Sequence, residues 1–420
     1  MSLRIAGVLR RLPVFAVALM SVAGAAQPIT AEQKADVLKA VEDTITQRAF
    51  IPGVDFAKWN EFLDRHRAAI DAAADISAFA TEVNRALREF GASHIRLQTP
   101  RAAQNRNRTT ATGVGISARP AEEGLRVVSV AETGPAKGAG IAPGDVIVEV
   151  NGKKPTDPEE LTSEEGKEIA IKVKNASGEV RDVVLKAASY STVRKETLTW
   201  VDSETAVLRV FTFAAGYGRE NIEALMKDAA KAKYLILDLR SNGGGSTNNL
   251  NHLASLLLPP DTVIGTFVSR RMADRFTTET GKPGLNPVEI AQWSTQKFKT
   301  QKRSIEPFSG KVAVLINRGT GSASEITAMA LREQKGAILV GQSSAGAVLA
   351  SVFGRLPHGF QIQYPVSDYV SAKGARLEKA PLVPDVVVEE RPENGKDPAL
   401  EKAVEAVKKQ KSEPALPIAA

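Results

Sequence analysis

The strongest indication of fold lies in residues 312–331, which read VAVLINRGTGSASEITAMAL. Residues 312–317 are almost all apolar and predict a buried strand of the kind found in parallel sheets. A turn of small residues follows at 319–325, and the pattern then predicts a helix over residues 324–333. This segment is therefore expected to be a strand–turn–helix unit of an α/β domain.

The turn contains Ser322 between small neighbours. A serine at a strand-to-helix turn can be exposed to a substrate, and the helix N-terminus favours developing negative charge. Ser322 is therefore a candidate nucleophile. The structural alternative is a capping box, with Ser322 as the N-cap residue and Glu325 three residues later.

A second unit of the same kind precedes it. Residues 234–239 are nearly all apolar and predict another buried strand, and residues 240–245 continue as RSNGGG. A glycine-rich turn before a helix, here predicted over residues 248–258, presents free backbone N–H groups that suit an oxyanion hole. Such turns also hold phosphates, but this one lacks the lysine and hydroxyl of a P-loop.

Residues 113–188 change to short strands and glycine turns. A glycine–apolar–glycine–apolar loop opens the segment, and its backbone N–H groups could face a carboxylate; it consists of Gly113, Val114, Gly115 and Ile116. With the later glycine turns at 134–141 and 143–147, the segment resembles a PDZ domain over residues 111–188. The resemblance implies binding of a peptide C-terminus as an added strand. The expected groove helix, residues 158–166, is short and acidic, so the alternative is a structural remnant without peptide affinity.

Residues 27–110 have a helical pattern, as in Val83, Leu87 and Phe90. Ser93 and His94 follow, before a short strand predicted over 94–97 and a polar linker at 100–112. Residues 189–390 are expected to form the α/β core, with residues 270–307 as an irregular insertion or mobile loop. The last segment, 391–420, is predicted to be a tail with one amphipathic stretch.

Residues 1–26 carry three arginines and no acid, then an apolar run and small residues, which is typical of a signal peptide. An uncleaved N-terminal anchor is the alternative. We therefore predict a periplasmic or secreted protein with no membrane span after cleavage. The formal charge of +7 would then fall to about +4, so the basicity does not predict nucleic-acid binding.

The chain has no cysteine, which excludes disulfides, a thiol nucleophile and cysteine-bound zinc. Its four histidines show no metal-binding spacing, so no metal or other cofactor is predicted. With 43% hydrophobic and 25% charged residues, the composition is that of an ordinary globular protein. The sequence does not indicate the oligomeric state.

Taken together, the serine turn, the glycine turn and the PDZ-like segment resemble the carboxyl-terminal processing (tail-specific) serine peptidase family. The resemblance covers about residues 54–388. It implies a multidomain α/β (α+β) protein with an N-terminal helical segment, an inserted PDZ-like β domain and an α/β peptidase core. It also implies that Ser322 is the nucleophile and that the N–H groups of Ala323 and Gly244 hold the oxyanion.

The main branch of that family uses a lysine as base, about 25 residues after the serine in a glycine-lysine-glycine turn; here residues 341–347 read GQSSAGA, with an alanine where this lysine would be. The chain instead resembles the branch of tricorn protease, which uses a histidine. That resemblance implies His94 as the general base and Glu378 as the acid that orients it, with Ser93 as a candidate bridge. A capping or surface role for Ser93 and His94 is the structural alternative, and His252 and His358 are rival bases.

The leading hypothesis is an exported serine endopeptidase that cleaves unfolded proteins or protein C-termini through an acyl-enzyme. Its partners would be polypeptide substrates. The first rival is an inactive peptide- or ligand-binding protein on a degenerate peptidase scaffold, which the missing lysine favours. A hydrolase of small esters or amides is a third possibility.

Overall fold

The computed structural model describes residues 27–161, 163–389 and 396–410. The predicted signal peptide lies outside the described residues, as does the end of the predicted tail from residue 411 onward. Within the part that is described, no helix is both long and apolar enough to cross a bilayer.

The N-terminal region is helical, as predicted. Its elements are α1 (Ala31–Arg48), α2 (Trp59–Ala72), α3 (Ile76–Phe90), β1 (Arg96–Gln98) and α4 (Pro100–Asn105). The first three helices bury Val41, Trp59 and Phe79 in one apolar cluster, which continues into residues 349–364 of the core. Because the cluster is shared, the helices are fixed against the core, and the segment that follows α3 lies beside it.

The predicted polar linker over residues 100–112 is mostly exposed, but it contains secondary structure that was not predicted. Residues 100–105 form α4, whose first turn is capped by Thr99 Oγ1 accepting from Ala102 N–H at 3.2 Å. The end of the segment is a strand whose partner lies almost 80 residues further along the chain. Such distant pairing leaves no local signal in a polar sequence.

The PDZ-like region is a small β domain. Its elements are β2 (Thr110–Gly113), β3 (Ile116–Ala121), β4 (Gly124–Val130), α5 (Pro135–Gly138), β5 (Val146–Val150), a 3₁₀ helix (Pro158–Leu161), β6 (Glu168–Lys174), β7 (Val180–Lys186) and β8 (Ala188–Ser191). Strands β3 to β7 form one antiparallel sheet in chain order, so β3 is an edge strand. Strands β2 and β8 pair with each other, so the chain enters and leaves this domain through a two-stranded ribbon.

The core has a six-stranded sheet in the order β18-β15-β14-β11-β10-β9, parallel except for β9. Its strands are β9 (Thr197–Trp200), β10 (Thr205–Arg209), β11 (Tyr234–Asp238), β14 (Lys311–Ile316), β15 (Ile338–Gly341) and β18 (Val386–Val387). Helices α6 (Arg219–Ala229), α7 (Thr247–Ser255) and α10 (Ala323–Lys335) cover one face, and α11 (Pro398–Lys409) covers the other. Burial on both faces explains why β11 and β14 are almost entirely apolar.

A second sheet lies beside the first and contains β1. It is completed by β12 (Val263–Ser269), β13 (Phe298–Lys299), β16 (Leu349–Arg355) and β17 (Gln361–Ser371). The prediction of an irregular loop over residues 270–307 is wrong, because α8 (Arg270–Thr280) and α9 (Pro287–Trp293) lie there. Only one narrow stripe of each helix is apolar and packs on β12 and β17, as Phe276 and Ile290 do, so the polar composition concealed both helices.

Candidate active site

Two turns meet at the carboxyl ends of neighbouring parallel strands. Strand β11 leads into the glycine turn and β14 into the serine turn, and Asp238 and Leu315 are paired in register just before them. Asn242 O accepts from Gly321 N–H at 3.0 Å, which joins the turns directly. A Cβ added to Gly244 would lie 2.7 Å from Ser322 Cβ, so only glycine fits there.

Ser322 has φ 54° and ψ −119°, far from the extended conformation of an ordinary N-cap residue. Glu325 holds this turn from beneath: its Oε2 accepts from Ser322 N–H at 3.0 Å, and its Oε1 accepts from Ser344 Oγ at 2.5 Å. The buried carboxylate also accepts the N–H groups of Gly346 and Ala347. Glu325 therefore locks a strained serine in place against the neighbouring turn.

His94 reaches Ser322 from the N-terminal region. It lies between α3 and β1, also at a positive φ of 56°, and pairing of β1 with β17 brings it to the core. His94 Nε2 lies 3.1 Å from Ser322 Oγ, and His94 Nδ1 lies 2.8 Å from Ser93 Oγ. His94 and Ser322 are separated by 228 positions in the sequence, so only the tertiary fold brings them into contact.

Glu378 completes the chain of hydrogen bonds. It is 5% exposed; its Oε2 accepts from Ser93 Oγ at 2.8 Å and from Val348 N–H at 2.9 Å, and its Oε1 accepts from Ser93 N–H at 3.1 Å. Because the Ser93 hydroxyl donates to the carboxylate, His94 Nδ1 must donate to Ser93 Oγ. His94 Nε2 is then free to accept the Ser322 proton.

Electrostatics favours the neutral imidazole. Burial lowers the pKa of His94 below its usual 6.5, and the negative charge of Glu378 opposes this only in part. His94 is therefore uncharged at neutral pH. An uncharged imidazole with an accepting Nε2 is the state that a general base requires.

The predicted oxyanion donors differ in their surroundings. Ala323 N–H makes no hydrogen bond to any other described residue, whereas Gly244 N–H donates to Asn242 Oδ1 at 3.0 Å. The next N–H of the turn, that of Gly245, has no partner in the described part of the chain. The role of Asn242 was missed, although an asparagine before three glycines is a residue type that commonly stabilises turns.

These groups open into a cavity of about 870 Å³. Ser322, His94 and the glycine turn line one part of it, and Phe267, Ile326 and Val366 make another part apolar. Residues 349–353 of β16 form a wall. No lysine lines the cavity among the described residues.

The other histidines have different partners. His252 is buried in α7 between Tyr217 and Glu223, and His358 contacts Asp36 at the surface. Neither contacts Ser322, so the rival bases are not supported. Within the described ranges, no group of three or more His, Asp or Glu side chains could hold a metal ion.

The predicted carboxylate-binding loop, residues 113–116, lies away from these contacts in the PDZ-like domain. The carbonyls of Val114 and Gly115 accept from Ala136 N–H and Ala131 N–H, which directs them into the domain. The 3₁₀ helix beside edge strand β3 has a single turn, and its Leu161 is buried in the core of the domain. The helix that forms this wall of the groove is therefore short, as predicted.

Comparison with known proteins separates the same two regions, the core and the PDZ-like domain. Residues 204–388 match the model of peptidase family S41, and residues 112–177 match the model of the PDZ domain. The tricorn protease shares the fold, with a TM-score of 0.53 at 15% identity, over 89% of this chain and 36% of that chain.

Two relatives are similar in sequence. Carboxyl-terminal-processing peptidase 2, chloroplastic, of Arabidopsis thaliana is 30% identical over 302 residues, which are 65% of this chain and 53% of that protein. Carboxy-terminal processing protease CtpA of Bacillus subtilis is 26% identical over 286 residues, 66% of this chain and 56% of that protein. The match thus spans about half the length of each relative. Residues 204–388 are therefore similar to peptidase family S41 and the segment before them is similar to a PDZ domain, and the chain resembles the carboxyl-terminal processing peptidases in sequence.

Proposed function

We propose that this chain is a serine endopeptidase that cleaves polypeptides through an acyl-enzyme on Ser322, with His94 as the general base. One observation carries the proposal: Ser322, His94, Ser93 and Glu378 form a continuous chain of hydrogen bonds that ends in a substrate-sized cavity. A buried carboxylate and two strained backbone positions cost free energy, and such features cluster at functional sites.

The reaction follows from the hydrogen-bond directions. Ser322 Oγ attacks the carbonyl carbon of the scissile bond while its proton passes to His94 Nε2. The imidazolium donates from Nδ1 to Ser93, which in turn donates to Glu378, so the new positive charge is stabilised. His94 then gives its proton to the leaving amine, and a water activated by the same histidine hydrolyses the ester.

The developing oxyanion requires free N–H donors near Ser322. Ala323 N–H at the start of α10 meets this condition and has the helix dipole behind it. For the second donor we propose the glycine turn, with Gly244 available only if Asn242 Oδ1 releases its N–H, and Gly245 already unpaired in the described structure.

The substrate proposal rests on the cavity and on the relatives. Among the described strands, β16 pairs only with β17, and its residues 349–353 face the cavity, so an extended peptide could lie along its other edge. The relatives are named for carboxyl-terminal processing, which supports unfolded chains or protein C-termini as substrates. The PDZ domain is proposed to deliver or gate them.

Export to the periplasm or exterior remains part of the proposal. It rests on the charge and apolar pattern of residues 1–26. Labelling the chain at its C-terminus and comparing its size before and after export would test it. An unprocessed chain retained in the cytoplasm contradicts this part without affecting the peptidase.

The test of activity is cleavage of an unfolded protein by the purified chain, beside Ser322→Ala and His94→Ala variants shown to be folded by circular dichroism. We expect each variant to lose about 10³-fold or more of the activity. Loss in Ser322→Ala alone would leave a serine peptidase with another base. A wild-type chain that cleaves nothing but still binds peptides would establish the rival, a binding protein on a peptidase scaffold.

A further inference from the structure

The cavity beside Ser322 contains an unusual side chain. Among the described residues that line it, Arg106 is the one with a permanent charge; the others are apolar, small or neutral, apart from the titratable His94 and Tyr217. Arg106 caps the C-terminal end of α4, between β1 and the ribbon that leads into the PDZ domain. No step of the proposed mechanism uses it.

Neutral groups hold Arg106. Its guanidinium lies over the Phe353 ring, with Cζ 3.6 Å from the ring centroid, and its Nη1 donates to Gln361 Oε1 at 2.9 Å. No Asp or Glu of the described residues forms an ion pair with it. Arg240, by contrast, binds two carboxylates. Arg106 is thus oriented, and its exposed guanidinium faces no carboxylate of the described residues.

The unused part of the guanidinium suits one chemical group. An arginine has five N–H donors, and only one of those on Arg106 is taken by Gln361. The remaining donors form the fork that binds a carboxylate with two parallel hydrogen bonds. Stacking on Phe353 restricts the fork in advance, so less conformational entropy is lost when a carboxylate binds.

The position of Arg106 along β16 sets a distance. Val348, just before β16, donates to Glu378 and so marks the catalytic end of the strand. Phe353 lies five residues further along, on the order of 15 Å at the usual rise of a strand. A peptide lying beside β16 would therefore reach Arg106 with a residue about three to five positions from the scissile bond.

We propose that Arg106 is a specificity-determining residue that binds a substrate carboxylate three to five residues from the scissile bond. This inference rests on the proposed peptidase function. The carboxylate can belong to the C-terminus of the peptide or to an Asp or Glu side chain. In the first case the enzyme releases short C-terminal pieces, and in the second it selects an acidic residue in the substrate.

The experiment compares peptides of one sequence by mass spectrometry of the products. In the first series the peptides end three, four or five residues after the cleaved bond, and each is made once with a free C-terminal carboxylate and once with a C-terminal carboxamide. In a second series, a peptide with Glu at one position is compared with the same peptide carrying Gln there, for each position on either side of the cleaved bond. Wild type is assayed beside Arg106→Gln and beside Arg108→Gln, which removes the same charge two residues away, outside the residues that line the cavity.

We expect wild type to prefer one carboxylate peptide by about 10- to 100-fold in kcat/KM. Arg106→Gln should remove this preference, and circular dichroism of the variant shows that it is folded. Arg108→Gln should keep the preference. If the carboxamide abolishes the preference, the ligand of Arg106 is the C-terminal carboxylate. If the exchange of Glu for Gln abolishes it, the ligand is an acidic side chain. An Arg106→Gln variant that keeps the full preference overturns the inference and leaves the peptidase intact.

A binding measurement separates the two proposals. The Ser322→Ala variant, with and without Arg106→Gln, is titrated with the same labelled peptides by fluorescence anisotropy. If wild type cleaves nothing but this variant binds carboxylate peptides more tightly in an Arg106-dependent manner, the peptidase function fails and the carboxylate site stands. Equal binding of carboxylate and neutral peptides, with or without Arg106, overturns the site.

Discussion

The chain has two glycine-rich loops, and they differ in what surrounds them. Gly244 packs directly against the serine turn, and hydrogen bonds connect that turn to three further segments: the one that follows α3, the turn after β15 and the segment with Glu378. Around Gly115, the contacts come from within the PDZ domain, and the groove wall is a single 3₁₀ turn. The candidate active site therefore depends on long-range contacts within the core, whereas the contacts of the PDZ loop are local to its own domain.

The largest difference in activity is expected when the same substitution, glycine to alanine, is made in each of the two loops. Gly244→Ala would place a Cβ 2.7 Å from Ser322 Cβ at a φ of 93°, so the serine turn must move and activity should fall by about 10³-fold or more. Gly115→Ala is as crowded, 2.9 Å from Gly134 Cα at a φ of 79°, but should spare cleavage of short peptides. Equal losses in a peptide assay would contradict the division between the two regions.

Removal of the charge at Glu378 is the next test of the core. In Glu378→Gln the amide NH₂ must face either Ser93 N–H or both Val348 N–H and Ser93 Oγ, so in each orientation at least one hydrogen bond that positions Ser93 beside His94 or holds Val348 is lost. We expect a loss of about 10²- to 10³-fold in kcat/KM. The variant should unfold at a denaturant concentration close to that of wild type if the role is catalytic.

The pH dependence of activity also tests the interaction between Glu378 and His94, because the direction of its shift can be predicted. In wild type, activity should persist below pH 6.5 and fall as pH drops through the lowered pKa of His94. Because the charge of Glu378 raises that pKa, Glu378→Gln should move the acid limb of kcat/KM to still lower pH. A shift to higher pH would show that Glu378 does not act on His94 in this way.

A smaller effect concerns the attachment of α11 to the core. Arg240 donates to both oxygens of Asp238 and of Asp397, and these groups are largely buried. Asp397→Ala should lower the free energy of unfolding by about 2–4 kcal/mol, because Arg240 loses a buried partner. The matched PDZ pair, Lys174 with Glu123, is more exposed, so Glu123→Ala should cost less than about 1 kcal/mol in the same urea titration.

The smallest effect on chemistry should follow removal of the whole PDZ domain. Gly113 and Ala188 are paired across the β2–β8 ribbon, so residues 114–187 can be replaced by an Asn-Gly turn without moving the core. Cleavage of short peptides should stay within about threefold of wild type, because no PDZ residue contacts Ser322, His94 or Glu378 in the described structure. Lost activity in a folded, shortened chain would show that the domain activates the site.

Much of the fold could be predicted from local patterns. The apolar strands ending in glycine and serine turns indicated the α/β core, and the ordered glycine motifs indicated the PDZ domain; both are confirmed. The helices α8 and α9 were missed because their apolar stripes are narrow, and α4 because its segment is polar. Periodicity is informative only where a wide face is buried.

The site was more difficult. Ser322 stood out because its turn follows a buried strand, whereas His94, Ser93 and Glu378 were named only through a family resemblance, and their catalytic roles remain predictions. Asn242 and Arg106 were not singled out, because a turn asparagine and a linker arginine carry no local signal of function. What gives them meaning is the partner each one meets, Gly244 for the first and Phe353 for the second.

The sequence by itself determined the strands, the turns and the residue types available for chemistry, because these depend on neighbours a few positions apart. Only the tertiary structure decided that His94 lies against Ser322, that Ser93 joins it to Glu378 and that Arg106 stacks on Phe353 with no ion pair to the described residues. The physical reason is distance along the chain: contacts across 228 and 285 positions are made by packing helices on a sheet. No local pattern specifies them.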